Sequence, residues 1–103
     1  NKIIIYIAKN LHTDITVDKL ATYCSLNADY FSRVFKNKFE IRPHKYIQQK
    51  RIEKAQLLLL TTHYSIKEVA FNVGFKDVFH FSKLFKKHSK LSPAKYRKEH
   101  VSS

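Results

Sequence analysis

Shifted against itself by fifty residues, this sequence repeats. Phe31-Ser32-Arg33-Val34-Phe35-Lys36 falls on Phe81-Ser82-Lys83-Leu84-Phe85-Lys86, and Pro43, Lys45 and Tyr46 fall on Pro93, Lys95 and Tyr96. Upstream the offset is forty-nine, pairing Thr16 with Ser65, Leu20 with Val69, Ala21 with Ala70 and Leu26 with Phe75. The second copy therefore carries one extra residue in the turn between two of its helices. Two copies are too few for a solenoid, in which at least three repeats bury one another's faces. What remains is a duplicated unit used twice on one extended ligand.

Composition narrows the class. One Gly and two Pro leave too little turn chemistry for an all-β fold and favour helices. At 44% hydrophobic, 103 residues are enough for a modest core and are not disordered. Twenty Lys and Arg against eight Asp and Glu give a formal charge of +12. Such an excess strains the compact state by self-repulsion and points to a polyanionic partner; the bland reading is a solvated basic face. Cys24 is the only cysteine, so no internal disulfide can form, which suits a reducing, cytoplasmic setting. The apolar run Leu57 to Leu60 is far short of the ~18 residues of a membrane span, and no signal-peptide pattern opens the chain. With no Met anywhere, the chain reads as a fragment of a longer protein, or as a product trimmed at its start.

In chain order, Ile3, Ile4, Ile7, Ala8 and Leu11 stand at helical spacing and predict an amphipathic helix from Lys2 to Leu11, a lid on the first unit. Thr16 is a candidate N-cap for a short helix facing inward through Val17, Leu20, Ala21 and Cys24. After the turn Ser25-Leu26-Asn27, a helix over about 28–38 is expected to bury Phe31, Val34, Phe35 and Lys38. It turns Asp29, Ser32, Arg33 and Lys36 outward at i, i+3, i+4 and i+7. A short helix, a tight turn and a longer helix with one polar, basic stripe make a helix-turn-helix.

Arg42-Pro43 opens a long helix with Pro43 at its first position, where the missing N–H costs nothing. Residues 43–60 would span about 27 Å at ~1.5 Å per residue. Grooves one turn apart on one face of B-DNA are separated by roughly 34 Å, so a helix of this length with a unit at each end can bridge them. It reads as a rigid spacer. Ser65-Ile66-Lys67-Glu68 is a capping box, and Gly74 stands just past the next helix, where a left-handed residue ends it at least cost. Asp77 caps a helix over about 78–88, with Phe81, Leu84 and Phe85 inside and Phe79, Ser82, Lys83 and Lys86 outside. Ser92-Pro93 starts a last helix through Tyr96 and Arg97, and His100 to Ser103 read as a frayed end.

These residues resemble the DNA-binding domain of the AraC/XylS family of bacterial transcription regulators. The resemblance is carried by Arg51-Ile52-Glu53-Lys54-Ala55 with Leu58-Leu59, by Ser65-Ile66-Lys67-Glu68-Val69-Ala70, and by Val73-Gly74-Phe75-Lys76-Asp77. Phe81-Ser82-Lys83-Leu84-Phe85-Lys86-Lys87, Leu91-Ser92-Pro93 and Tyr96-Arg97 complete it, in order and at the right spacing. It implies an all-α domain of seven helices, with two homeodomain-like helix-turn-helix subdomains (1–42 and 61–103) joined by a linker helix (43–60). It implies that both recognition helices enter successive major grooves on one face of double-stranded DNA. RNA polymerase, and an N-terminal signal-sensing or receiver domain, are the further partners expected; no cofactor, metal or membrane is. The family usually has Gly four residues after the positions of Lys36 and Lys86, where this chain has Glu40 and Lys90. A non-glycine in a left-handed cap costs about 1–2 kcal/mol, so either the turn differs or the cost is absorbed.

Carried over by position, Asp29, Ser32 and Arg33 in the first unit and Phe79, Ser82 and Lys83 in the second are candidate base readers. Arg33 can donate two hydrogen bonds to guanine O6 and N7; its alternative is a phosphate contact or a surface salt bridge. Lys83 is a point charge, less selective than a guanidinium fork, and suits phosphate or weak base contact. Phe79 either packs on thymine methyls or is a partly buried core residue. The first unit is therefore expected to carry more of the sequence discrimination. Lys36, Lys45, Lys86, Lys95 and Arg97 read as phosphate contacts, joined by the helix starts at Thr16 and Ser65. Tyr46 and Tyr96 are expected to pack the closing helix of each unit. Arg51 is placed inside by its helix register, bonding backbone carbonyls or Glu53.

Catalysis has little to stand on. The six His are scattered; His80 and His88, expected on the core side of one helix, have no third ligand, and no CxxC, HExxH or glycine-rich phosphate loop occurs. Cys24 on an apolar face is more often a small core residue than a nucleophile. The rival to a DNA reader is a basic interaction module that binds RNA, membrane or protein by charge, which has no need of two matched helices.

Overall fold

The computed structural model describes residues 1–100, in which seven α-helices and no strand occur. They are α1 (Lys2–Lys9), α2 (Val17–Tyr23), α3 (Ala28–Phe39), α4 (Pro43–Thr61), α5 (Ile66–Asn72), α6 (Val78–Ser89) and α7 (Pro93–His100). The chain divides into two compact units, Asn1–Lys50 and Arg51–Ser103, and the division falls inside α4. No helix among the described residues is long and apolar enough to cross a membrane.

The division has a cause in the sequence of α4. Its first half supplies Pro43, Tyr46 and Ile47, and Ile47 is buried in the core of unit 1 with Ile7, Leu20, Phe31 and Phe35. Its second half supplies Ile52, Ala55 and Leu59, buried in the core of unit 2 with Val69, Phe81 and Phe85. One continuous helix thus closes the first unit and opens the second. In unit 1 the opening role falls to α1, whose Ile3 and Ile7 are buried together with Leu11 just beyond it.

The duplication is visible in ring geometry. Phe31 and Phe35 lie 5.8 Å apart at 42°, Phe81 and Phe85 5.7 Å apart at 51°. Tyr46 meets Phe35 edge-on at 5.5 Å, as Tyr96 meets Phe85 at 5.3 Å. The two tyrosines therefore pack the closing helix of each unit, as their place three residues after a proline suggests. Edge-to-face pairs of this kind add about 0.5–1.5 kcal/mol beyond the area they bury.

Some inward assignments are corrected. Val34 is 41% exposed and Lys38 is exposed; the third rung of the inward ladder on α3 is the half-buried Phe39, 4.5 Å from Phe35. The apolar stripe runs at i, i+4, i+8, and Val34 lies to one side of it. His80 and His88 are also exposed, because the buried stripe of α6 is confined to Phe81 and Phe85. Arg51 is half-buried, with its guanidinium 6.0 Å above the ring of Phe75. Cys24 is half-buried against the core of unit 1, as a small packing residue would be. His100 belongs to α7; the remainder of the expected frayed end, residues 101–103, lies outside the described residues.

Candidate nucleic-acid interface

Each unit holds a helix-turn-helix whose local chemistry explains its shape. In unit 1, the Thr16 hydroxyl accepts the Lys19 N–H at 3.1 Å and starts α2. The chain leaves α2 through Ser25 at φ 59°, with the Leu26 N–H donating to Ala21 O at 2.9 Å. Asn27 Oδ1 then accepts the Tyr30 N–H at 2.8 Å and starts α3. A helix end of this kind satisfies carbonyls that would otherwise be orphaned.

Unit 2 repeats the design with different residues. Ser65 Oγ accepts the Glu68 N–H at 3.0 Å, and Glu68 Oε1 accepts the Ser65 N–H at 2.9 Å, completing the capping box. That backbone hydrogen bond from Ser65, with the side-chain bond behind it, holds the Glu68 carboxyl below its ordinary pKa of 4.5. Gly74 turns the chain at φ 99°, in the place of Ser25, and the Phe75 N–H donates to Ala70 O at 2.9 Å. Asp77 Oδ1 accepts the Phe79 N–H at 2.9 Å and starts α6. The extra residue of the second copy sits here: two residues separate Phe75 from α6, against one between Leu26 and α3.

Both α3 and α6 end on left-handed residues, Glu40 at φ 61° and Lys90 at φ 70°, each donating its N–H to a carbonyl four residues back at 2.8 Å. The turn is thus kept without glycine, and its cost is absorbed by the fold.

The outward residues of α3 are Asp29, Arg33 and Lys36, all exposed, with Ser32 half-buried beside them. The Arg33 guanidinium lies 5.8 Å over the ring of Tyr30, which is itself 48% exposed. Tyr30 is absent from the sequence-derived set, although its place three residues before Arg33 is a signal for it. On α6, Lys83 and Lys86 are exposed, Ser82 is half-buried, and Phe79 is 83% exposed. Phe79 is therefore a surface residue, which removes the core alternative. Lys45 and Lys95 are exposed at the starts of α4 and α7, where the Lys95 N–H is capped by Ser92 Oγ at 3.2 Å. Each set is gathered within its own unit: Thr16, Asp29, Ser32, Arg33, Lys36 and Lys45 in the first, the rest in the second.

Arg97 is placed differently from the phosphate contact expected of it. Its Nε–H donates to Leu59 O at 2.9 Å and its NH2 group to Thr62 O at 3.3 Å, so the half-buried fork caps the C-terminal end of α4. No group of three His, Cys, Asp or Glu among the described residues is disposed to hold a metal ion. The arrangement offers donors, positive charge and aromatic edges on two recognition-type helices.

Comparison with known proteins agrees with this geometry. A family model described as a helix-turn-helix domain matches residues 20–99. The raffinose operon transcriptional regulatory protein RafR of Pediococcus pentosaceus is 37% identical over 98 residues, covering 95% of this chain and 35% of that protein. The chain spans about a third of the length of the curated relatives it matches. Among solved structures, the C-terminal domain of the two-component response regulator yesN from Fusobacterium nucleatum superposes with a TM-score of 0.90 at 39% identity, covering 93% of this chain and 94% of that one. The DNA-binding domain of AdpA, solved in complex with a target DNA, superposes with a TM-score of 0.93 at 28% identity over 96% of this chain and 89% of that one. With the model matching most of its length and both helix-turn-helix units built as described, the chain belongs to the AraC/XylS-type helix-turn-helix family of transcription regulators.

Proposed function

We propose that this chain is the sequence-specific double-stranded DNA-binding domain of a bacterial transcription regulator, with α3 and α6 entering successive major grooves. The observation that carries the reading is the matched pair of exposed, basic outer stripes on the second helix of two helix-turn-helix units. A domain binding by charge alone gains nothing from building that stripe twice.

In this reading Asp29, Ser32 and Arg33 face bases in one groove and Phe79, Ser82 and Lys83 in the next. Arg33 makes the most selective contact, bidentate to guanine, and Tyr30 steadies its guanidinium. Lys36, Lys45, Lys86 and Lys95 neutralise phosphates. The helix starts at Thr16 and Ser65 add backbone N–H donors for phosphate oxygens. Arg97 is left out of this set because its bonds to Leu59 O and Thr62 O hold the half-buried guanidinium against the end of α4. The subdomains are residues 1–42 and 61–103, with 43–60 as the strut between readers; α4 in full is about 28 Å long at ~1.5 Å per residue. In the cell the domain works in the cytoplasm, carried by a longer chain with a signal-sensing or receiver domain on its N-terminal side, and acts on transcription through RNA polymerase. It performs no catalysis.

The test is selection of a bound sequence from random duplex DNA, followed by titration of the selected and a scrambled duplex. The selected duplex should bind at least about a thousandfold more tightly. Four lysine–phosphate contacts predict a log–log salt slope of about −4. Arg33→Ala should erase discrimination at one guanine by roughly tenfold or more. Equal binding of selected and scrambled duplexes, with single-stranded RNA or anionic vesicles competing as well, would replace this reading with a charge-driven module.

A further inference from the structure

The repeat supplies a control for its own second unit. Phe71 and Phe79 are 73% and 83% exposed, more than any other large apolar side chain described. Phe71 lies near the end of α5 and Phe79 is the second residue of α6. They border one shallow groove of about 270 Å³, with Lys67, Phe75, Lys76 and Asp77. At the equivalent places unit 1 has Thr22 and Asp29, both exposed. The helix-turn-helix frame therefore requires neither ring, and the core of unit 2 is already closed by Phe75, Phe81 and Phe85.

Two rings exposed in water cost free energy that a partner's apolar surface recovers, and such patches mark contact surfaces. The chemistry of the surroundings selects the partner. Lys67 and Lys76 border the groove and outnumber the one carboxylate there, Asp77, whose Oδ1 accepts the Phe79 N–H, which suits a phosphate-bearing ligand. A helix-turn-helix touches base edges with the N-terminal residues of its second helix, and Phe79 holds such a place. In the major groove the apolar group presented by a standard base pair is the C5-methyl of thymine.

Resting on the DNA-binding reading above, we infer that Phe79, with Phe71 beside it, is an apolar reader of thymine C5-methyl groups. The two units then discriminate by different chemistry: hydrogen bonds from Arg33 in the first, methyl burial in the second.

The experiment uses the duplex selected by the full chain. Each thymine in the half-site of unit 2 is replaced singly by deoxyuridine, which removes the methyl and keeps every hydrogen-bonding group. Wild-type protein should lose about fourfold in affinity at one or two of these positions, the value of one buried methyl. Phe79→Ser should bind thymine and deoxyuridine duplexes equally, and Phe71→Thr, which copies unit 1, should reduce the discrimination. Circular dichroism checks that each variant is folded; the wild-type titration stands without them. The inference is overturned if no thymine occurs in that half-site, if wild type ignores every deoxyuridine, or if Phe79→Ser shows the wild-type loss. Failure of the DNA-binding reading is a separate result: no duplex is then preferred over its scrambled counterpart.

Discussion

Replacing Arg97 by Met separates two roles that the sequence alone leaves together. In the structure its Nε–H and NH2 donors reach Leu59 O at 2.9 Å and Thr62 O at 3.3 Å, tying α7 to the end of α4 across more than thirty residues of chain. Leu59 O is one of the last carbonyls of α4, which have no partner within their own helix. Met keeps most of the apolar stem and removes both donors. A hydrogen bond from a charged group is worth roughly 1.5–3 kcal/mol. The site is half-buried, so water can replace part of two such bonds, and the expected loss is about 2–3 kcal/mol. For a domain of this size that lowers Tm by roughly 10–20 °C, read by thermal unfolding followed by circular dichroism. The same variant, titrated with duplex DNA at temperatures where it is folded, should keep the wild-type salt slope, because a guanidinium held against the end of α4 neutralises no phosphate. An unchanged Tm together with a slope shallower by about 0.9 would refute the capping role and put Arg97 on a phosphate.

Other substitutions test the rest of the frame. Glu40→Gly and Lys90→Gly each relieve a left-handed non-glycine residue and should each raise stability by about 1 kcal/mol in urea unfolding; a loss in both would mean that these turns carry no strain. Phe81→Ala, which empties the centre of the unit 2 core, should cost about 3–5 kcal/mol or prevent folding of that unit, whereas Val34→Ala on the exposed side of α3 should change stability by less than about 1 kcal/mol. Glu68 has a depressed folded-state pKa, so its contribution is present above its ordinary value of 4.5 and is lost as pH falls through the folded value. The stability difference between wild type and Glu68→Gln should therefore be largest near neutral pH and shrink below pH 4.5; a difference that is flat from neutral pH down to pH 3 contradicts the capping-box account.

Local rules explain why so much of this fold is readable in the residues. Caps at Thr16, Asn27, Ser65 and Asp77, prolines at helix starts and a glycine after α5 each mark a boundary through chemistry confined to four or five neighbouring residues. The repeat then ties the two halves together. What the residues hide depends on tertiary partners. Arg97 looks like any surface cation until the end of α4 is brought beside it. The inward ladder through the half-buried Phe39 in place of Val34 depends on where Tyr46 of α4 comes to lie, 6.3 Å from Phe39. Ser25 at φ 59° was hidden because serine carries no left-handed signature, although its alignment with Gly74 across the repeat contains the information. Phe71 is also visible by that alignment, as the aromatic at the position equivalent to Thr22. In the candidate site, the helices and their outer stripes, Phe79 included, are legible, while the ring of Tyr30 under the Arg33 guanidinium and the choice between a surface and a partly buried Phe79 need coordinates.

The most direct measurement is the affinity of the whole chain for its selected duplex after about five base pairs, half of a ~10–10.5 bp turn, are inserted between the two half-sites. If α3 and α6 grip one duplex together through α4, the insertion turns the second groove away, and affinity should fall at least a hundredfold, towards that of a scrambled sequence. Insertion of a full turn should restore little, because a helix has a fixed length. Affinity unchanged by the half-turn insertion would contradict the account, leaving a single reader on DNA and the second unit free for other work.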